Sequence, residues 1–354
     1  MKILFEHEHL YYLPQFESII HELKKRGEKN IFGSISLKTP DIEQKLFHSE
    51  MDRLGLEVIV SNSELDRLEH LKKMNFDLIF IGNKNTLSQI KGNNSFSVMV
   101  YHGIGLKQSY YTDLTKEIDL ICVESQYREK QLNDLGFKAV NTGFMKLDLI
   151  DRDIEKDNSL APTILYAPTF FPSSLQKSIA FLDQLEDYNV KIKLHHFFWT
   201  NPRYATIRSD LESSIKNLGN INLCTFETYN IMNLYPQADI LISDFSSTLF
   251  EYLFFNRPII QTTYYTSRMK YKIFPSLLEK RIDRERAEEI DFAFYCDNPE
   301  DLSASVLEAI SNPEKHSSER IAGSERFLGD TKVNSAGMVV NAIVSNGISI
   351  GEAN

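Results

Sequence analysis

Apolar and polar positions alternate along this chain in blocks that predict strands and helices in turn. Lys2-Ile3-Leu4-Phe5 predicts a short first strand, with Glu6-His7-Glu8-His9 at its carboxyl end. Leu13, Phe16, Ile19, Ile20 and Leu23 recur at helical spacing, so a helix is expected over 13–26, ended by Gly27. Strands are predicted over 31–36, 57–60, 77–81, 97–101 and 119–123, and helices over 41–54, 63–74 and 125–135, with Ser63 as a cap. The stretch 149–162 is polar and proline-ended, and the alternation restarts after it. Strands follow over 163–166, 189–194, 221–223, 239–242 and 258–261, and helices over 174–187, 203–218, 231–235 and 248–255. Residues 276–290 are heavily charged and read as a surface helix or loop, while 299–311 and 331–345 read as helices. Strands alternating with helices imply parallel sheets covered on both faces. The expected class is α/β, with two Rossmann-like domains whose sheets face each other across a cleft. They are a first domain over 1–155 and a second over 156–330, followed by a C-terminal helix and tail over 331–354.

The stretch 238–261, ADILISDFSSTLFEYLFFNRPIIQ, is the most informative. It reads as strand, tight polar turn, helix, strand, the pattern of a parallel crossover. Ser246 and Ser247 are N-cap types, and the amides behind them favour an anion such as a phosphate. The plainer reading is that Asp244 and the serines only cap a helix. A second stretch, Tyr101-His102-Gly103-Ile104-Gly105-Leu106-Lys107, empties a strand into an imidazole and a flexible backbone. Histidine titrates near neutrality and suits general-base work. Gly103 lets backbone approach a ligand and Lys107 can hold a phosphate, although a simple turn is the alternative.

Lys193-Leu194-His195-His196 ends a strand of the second half, so one of His195 and His196 can face the cleft. Thr169, at the end of the strand before it, can cap a helix or touch a phosphate. Gly143, Lys146 and Asp148 lie just before the interdomain stretch, at the cleft floor or in a solvated turn. His7 and His9 could line the acceptor side or belong to a polar loop. No paired His, Cys or carboxylate spacing points to a metal, and none is expected. No cofactor is expected either. The chain carries no GxxxxGK[ST], no GxGxxG after its first strand and no GxSxG.

Composition narrows the class. With 354 residues, two domains are the prior. A net charge of −10 argues against nucleic acid as partner, while leaving room for a local basic pocket. The three cysteines, Cys122, Cys224 and Cys296, are far apart, which fits a reducing compartment, and a cytoplasmic location is expected. The start MKILFEHEHLYY is too short and too charged for a signal peptide, and no window approaches a membrane span. Peripheral contact with the inner membrane face stays open, as does oligomeric state.

Five stretches in order resemble one family: His102-Gly103 with Lys107, residues 142–148, residues 164–169, residues 193–195, and residues 243–247 with 256–260. The chain resembles the CDP-glycerol glycerophosphotransferase family, which makes teichoic acids and related capsule polymers. The resemblance implies a two-domain GT-B fold, with the domain over 1–155 on the acceptor side and the domain over 156–330 binding the nucleotide donor. It also implies a CDP-activated polyol donor, glycerol or ribitol phosphate as the transferred group, and a glycan or lipid-linked acceptor. It places His102 as the catalytic base and His195 on the donor diphosphate. Ser246 and Ser247, with Ser243, Asp244 and Thr169 beside them, would form the donor cradle. Glu251 stands where the family usually has aspartate, and His196 where it usually has proline. A nucleotide-sugar glycosyltransferase or UDP-sugar 2-epimerase of the same fold is the enzymatic alternative. A non-catalytic nucleotide-binding member of a capsule-assembly complex is the other.

Overall fold

The computed structural model describes residues 1–101, 103–105, 114–150, 161–266, 268, 271, 273, 274, 276 and 287–351. The chain divides into two compact units, one from residues 1–102, 110–150 and 326–354, the other from 103–109 and 151–325. Each is a Rossmann-like α/β unit with a wholly parallel sheet.

In the first unit the strands are β1 Lys2–His7, β2 Asn30–Ile35, β3 Glu57–Val58, β4 Leu78–Ile81, β5 Phe96–Val100, β6 Leu120–Val123 and β7 Ala139–Asn141. They lie in the order β3-β2-β1-β4-β5-β6-β7. Central strands are apolar on both faces because helices cover both, and β4, β5 and β6 accordingly bury nearly every side chain. The helix Asp41–Leu54 ends where Gly55 takes φ +59°, a left-handed turn that favours glycine. Ser63 caps the helix Glu64–Met74 by accepting from the Asp66 N–H, and Ser125 caps Gln126–Asp134 by accepting from the Arg128 N–H.

β1 runs on through His7, so Glu6 and His7 are strand residues and not the polar loop that their sequence allows. Both are buried. Arg67, itself fully buried, donates to both Glu6 oxygens at 2.9 Å and to Glu64 Oε1 at 2.8 Å. His7 Nδ1 lies 3.0 Å from the Phe5 carbonyl, and burial pulls its pKa down to about 4. The C-terminal helix Ser335–Ser345 belongs to this unit. Its first turn receives the Asp148 carboxylate, which accepts from the Ser335 and Ala336 N–H groups at 3.1 and 2.8 Å.

In the second unit the strands are β8 Thr163–Ala167, β9 Asn189–Ile192, β10 Ile221–Leu223, β11 Ile240–Ser243, β12 Ile259–Thr262 and β13 Phe294–Cys296, in the order β10-β9-β8-β11-β12-β13. Ile164, Ile192, Ile240, Ile242 and Ile260 meet in one core. The expected helix over 174–187 is a single α-turn, Leu175–Ser178, continued as the 3-10 segment Ile179–Leu185. Most of the charged stretch 276–290 lies outside the described residues. Among the described residues no helix is long and apolar enough to cross a membrane.

Candidate functional site

In the second unit the order of strands reverses between neighbours β8 and β11. β9 and β10 lie to one side, β12 and β13 to the other. Ligands of doubly wound sheets bind outside the carboxyl ends of the strands at such a switch point. Residues 168–174 leave β8 there, His195 and His196 follow β9, and residues 244–247 leave β11.

A buried carboxylate ties the first and last of these loops together. Asp244 is fully buried; its Oδ1 accepts from the Thr169 N–H at 2.8 Å, and its Oδ2 accepts from both the N–H and the hydroxyl of Ser174 at 2.9 Å. Burial pushes the Asp244 pKa up to about 7, against the pull of those three bonds. Ser243 is locked as well: its hydroxyl donates to the Ala167 carbonyl and bonds the Thr248 hydroxyl, both at 2.7 Å. Asp244 and Ser243 therefore hold the loops from within. Thr169 is buried and contributes its backbone to the same clamp.

Ser246 and Ser247 differ from these neighbours, since both are half-exposed. Ser246 Oγ accepts from the Thr248 N–H at 3.4 Å, a weak cap. Ser247 has helical angles and caps nothing with its side chain. The helix behind them is one α-turn, Thr248–Glu251, followed by the 3-10 segment Tyr252–Phe255. So short a helix aligns few peptide dipoles, which leaves less for an anion than the apolar run suggested. Gly103 packs against this loop; a Cβ there would stand 3.1 Å from Ser247 Oγ and 3.5 Å from Glu251 Oε1. Glu251 is buried and accepts from the Tyr235 hydroxyl at 3.0 Å.

The two histidines after β9 separate by burial. His195 is half-buried, its ring 4.5 Å from that of Phe170 and 5.2 Å from that of Phe197. The Phe197 N–H donates to His195 Nδ1 at 3.2 Å, which puts the neutral ring's proton on Nε2. His196 is buried against Phe197 and Phe226. Beside them Lys193 is buried, donates to the Leu194 carbonyl at 2.8 Å, and has its pKa pulled down to about 8 by burial. His102 and Lys107 lie outside the described residues.

Gly143, Lys146 and Asp148 belong to the first unit. Gly143 has φ +82°, and a Cβ there would meet Ser335 Oγ at 2.6 Å. Lys146 is buried with its ammonium 5.7 Å from the Phe144 ring centre. Gly143 against Ser335 and Asp148 on the first turn of Ser335–Ser345 build the seat of that helix. Ser174 and Tyr235, which orient Asp244 and Glu251, were not singled out from sequence. The Ser173-Ser174 pair two residues after Phe171 was the available signal for the first; for Tyr235 there was none.

The fold is shared with several known proteins. The wall teichoic acid polymerase TagF superposes with a TM-score of 0.64 at 16% identity, over 98% of this chain and 90% of that one. A TagF structure soaked with CDPG gives 0.67 at 15% identity, over 98% and 90%. S. aureus MnaA, solved with UDP, gives 0.63 at 16% identity, over 100% and 99%. The UDP-GlcNAc 2-epimerase from Neisseria meningitidis, bound to UDP-GlcNAc, gives 0.58 at 13% identity, over 98% and 100%. At such identities the likeness establishes the fold, two Rossmann-like units of the GT-B type. No curated protein matches the chain in sequence. The profile of CDP-glycerol:poly(glycerophosphate) glycerophosphotransferases matches residues 132–345, more than half of the chain, and spans β8 to β13 with the loops that follow β8, β9 and β11. The chain belongs to the CDP-glycerol:poly(glycerophosphate) glycerophosphotransferase family and is an enzyme of that CDP-polyol phosphotransferase type.

Proposed function

We propose that this enzyme moves a polyol phosphate, glycerol or ribitol phosphate, from its CDP ester to a hydroxyl of a cell-surface glycan or its precursor, of the teichoic acid or capsule type. The acceptor hydroxyl attacks the phosphorus nearer the polyol and forms the new phosphodiester. The bond from that phosphorus to the bridging oxygen breaks, and CMP leaves with the electron pair. His102 takes the proton from the attacking hydroxyl. His195 Nε2–H and the half-exposed loop at Ser246 and Ser247 bear on the diphosphate and stabilise the charge that grows on the leaving group. Asp244, Ser243, Thr169 and Glu251 keep that loop in place. An enzyme working in the cytoplasm at the inner membrane face completes the proposal.

One observation carries it. At the switch point of the second sheet, Ser246, Ser247 and His195 are half-exposed while the polar residues among them are locked in internal bonds. The solved relatives named with UDP ligands favour a second reading, a UDP-sugar enzyme of the same fold. Thermal-shift screening with CDP, CMP, UDP and GDP separates the two: a cytidine-selective shift is expected, and a uridine-selective one would remove the donor assignment. His102→Ala is expected to abolish turnover with CDP binding near normal. Near-full activity in that variant would remove the base.

A further inference from the structure

Asp244 has no counter-charge among the described residues: its partners are the Thr169 N–H and the N–H and hydroxyl of Ser174, all neutral. A chain of hydroxyls runs on from it through the core. The Tyr166 hydroxyl lies 2.8 Å from Ser174 Oγ and 3.0 Å from Ser178 Oγ. Ser178 Oγ lies 2.8 Å from the Tyr264 hydroxyl and 3.2 Å from the Ser174 carbonyl oxygen. Tyr166 stands on β8 and Tyr264 just past β12, the two strands that flank β11, and burial raises both phenols, so they stay neutral around pH 7. Beyond Tyr264 come Cys296 and Glu300, and behind the loop Glu251 is bound to Tyr235.

Each hydroxyl has one proton to donate, so the carboxyl end sets the direction of the whole chain. With Asp244 ionised, Ser174 donates to it, Tyr166 to Ser174, Ser178 to Tyr166 and Tyr264 to Ser178. With Asp244 protonated, its own O–H donates to Ser174, Ser174 to Tyr166 and Tyr166 to Ser178. Ser178 then turns to the Ser174 carbonyl, and Tyr264 still donates to Ser178. Every link survives the reversal, and the Thr169 and Ser174 N–H groups keep their acceptors on the carboxyl. The clamp therefore holds with the carboxyl charged or neutral. The loop at Ser246 and Ser247 turns directly on this residue, since the Ser246 N–H donates to the Asp244 carbonyl at 2.9 Å. An anion at that loop meets a buried carboxylate with no cation to offset it, and like charges favour the neutral acid.

We propose that Asp244 takes up a proton when a diphosphate binds at the loop of Ser246 and Ser247, with the hydroxyls of Ser174, Tyr166 and Ser178 reversing to receive it. The proposal rests on the reading above that this loop bears on the donor diphosphate. One proton passes from the buffer acid to the carboxylate, and each hydroxyl ends with the single proton it began with. Donor affinity then falls as pH rises, because the ionised carboxyl opposes the diphosphate. The free carboxyl lies near 7, so the coupling operates around neutrality.

The test is calorimetric titration of the full chain, without acceptor, in buffers of different ionisation enthalpy, which counts the protons taken up on binding. The probes are CDP-glycerol and UDP-GlcNAc, whose phosphates are all esterified and take up no proton themselves near neutrality. If the bound diphosphate raises the carboxyl by roughly one pH unit, the wild type should take up about half a proton per ligand near pH 7.5, and affinity should fall on the order of tenfold from pH 6 to pH 9. Asp244→Asn should take up less than the wild type by that half proton. Tyr166→Phe keeps the shape of a buried ring but leaves the Ser174 hydroxyl no acceptor on reversal, so uptake near pH 7.5 should fall at least twofold. This second variant decides the matter if the first does not fold. Equal uptake in wild type and Asp244→Asn, an uptake that Tyr166→Phe leaves in place, or no binding of either probe would overturn the proposal. Binding of UDP-GlcNAc alone, with the same proton, would remove the cytidine donor reading and leave this coupling standing.

Discussion

Asp244→Asn tests the buried clamp that carries the serine loop. The wild-type carboxyl is fully buried, and its pKa is raised from 3.8 to about 7. A shift of roughly 3 units corresponds to about 4 kcal/mol against the ionised form in the folded state. The folded chain therefore binds this proton more tightly than the unfolded chain does. The favourable contribution is complete below about pH 4, falls as pH rises, and is gone above about pH 7. Between pH 5 and pH 8 the wild type should lose roughly 3 kcal/mol from this group alone. Asparagine removes the titration. It keeps an acceptor for the Thr169 N–H but turns an amide toward the Ser174 N–H, leaving a buried donor without its partner at a cost of about 1–3 kcal/mol. The variant should thus be less stable than the wild type at pH 5, and equal or more stable at pH 8. Urea unfolding followed by tryptophan fluorescence reads the right unit, because the single tryptophan, Trp199, lies in the second unit. Stability curves that stay parallel in the two proteins from pH 5 to pH 8 would refute the assignment of that slope to Asp244.

Other positions give separate tests. Gly103→Ala puts a methyl 3.1 Å from Ser247 Oγ, so Ser247 must shift by a few tenths of an ångström; CDP affinity should fall several-fold by titration with little change in melting temperature. An unaltered affinity would detach Ser247 from the donor. His195→Ala should lower turnover on the order of 100-fold with the melting temperature unchanged, and a loss under threefold would take the imidazole off the diphosphate. Arg67→Ala leaves the Glu6 and Glu64 carboxylates without their guanidinium; chemical denaturation should show about 3–5 kcal/mol of lost stability, and a loss below about 1 kcal/mol would mean the pair is solvated.

Legibility in the sequence followed the range of the forces involved. Elements set by local chemistry came through with their ends: Asp41–Leu54 with its glycine stop and Glu64–Met74 with its serine cap. Elements set by distant packing did not. β7 spans only Ala139–Asn141, and β13 only Phe294–Cys296, too few residues for any period to emerge. The helix Ser317–Leu328 is rich in serine, arginine and glutamate and carries little apolar pattern of its own. The 174–187 segment has helical spacing, yet its second half winds as 3-10 between Ser178 and Glu186. The same division runs through the site. The turn at 243–247 was visible as polar residues at a strand end, but which of them face inward depends on Ala167, Thr169 and Ser174, about 70 positions earlier.

That dependence explains why the four polar residues of the 243–247 turn divide their work. Ser243 closes β11 against β8, and Asp244 reaches across the same strand pair to the loop that leaves β8. Once those two are fixed, the backbone from Phe245 onward has nowhere to go but out, and Ser246 and Ser247 emerge at the switch point half-exposed. A carboxylate with a pKa near neutrality is a costly way to tie two loops, since a neutral amide meets the same N–H groups less well but never ionises. Its three acceptor contacts are what a short helix cannot offer. With only one α-turn behind the serines, the loop's shape must be held by side-chain bonds from the neighbouring strand, and Asp244 is the residue that makes them.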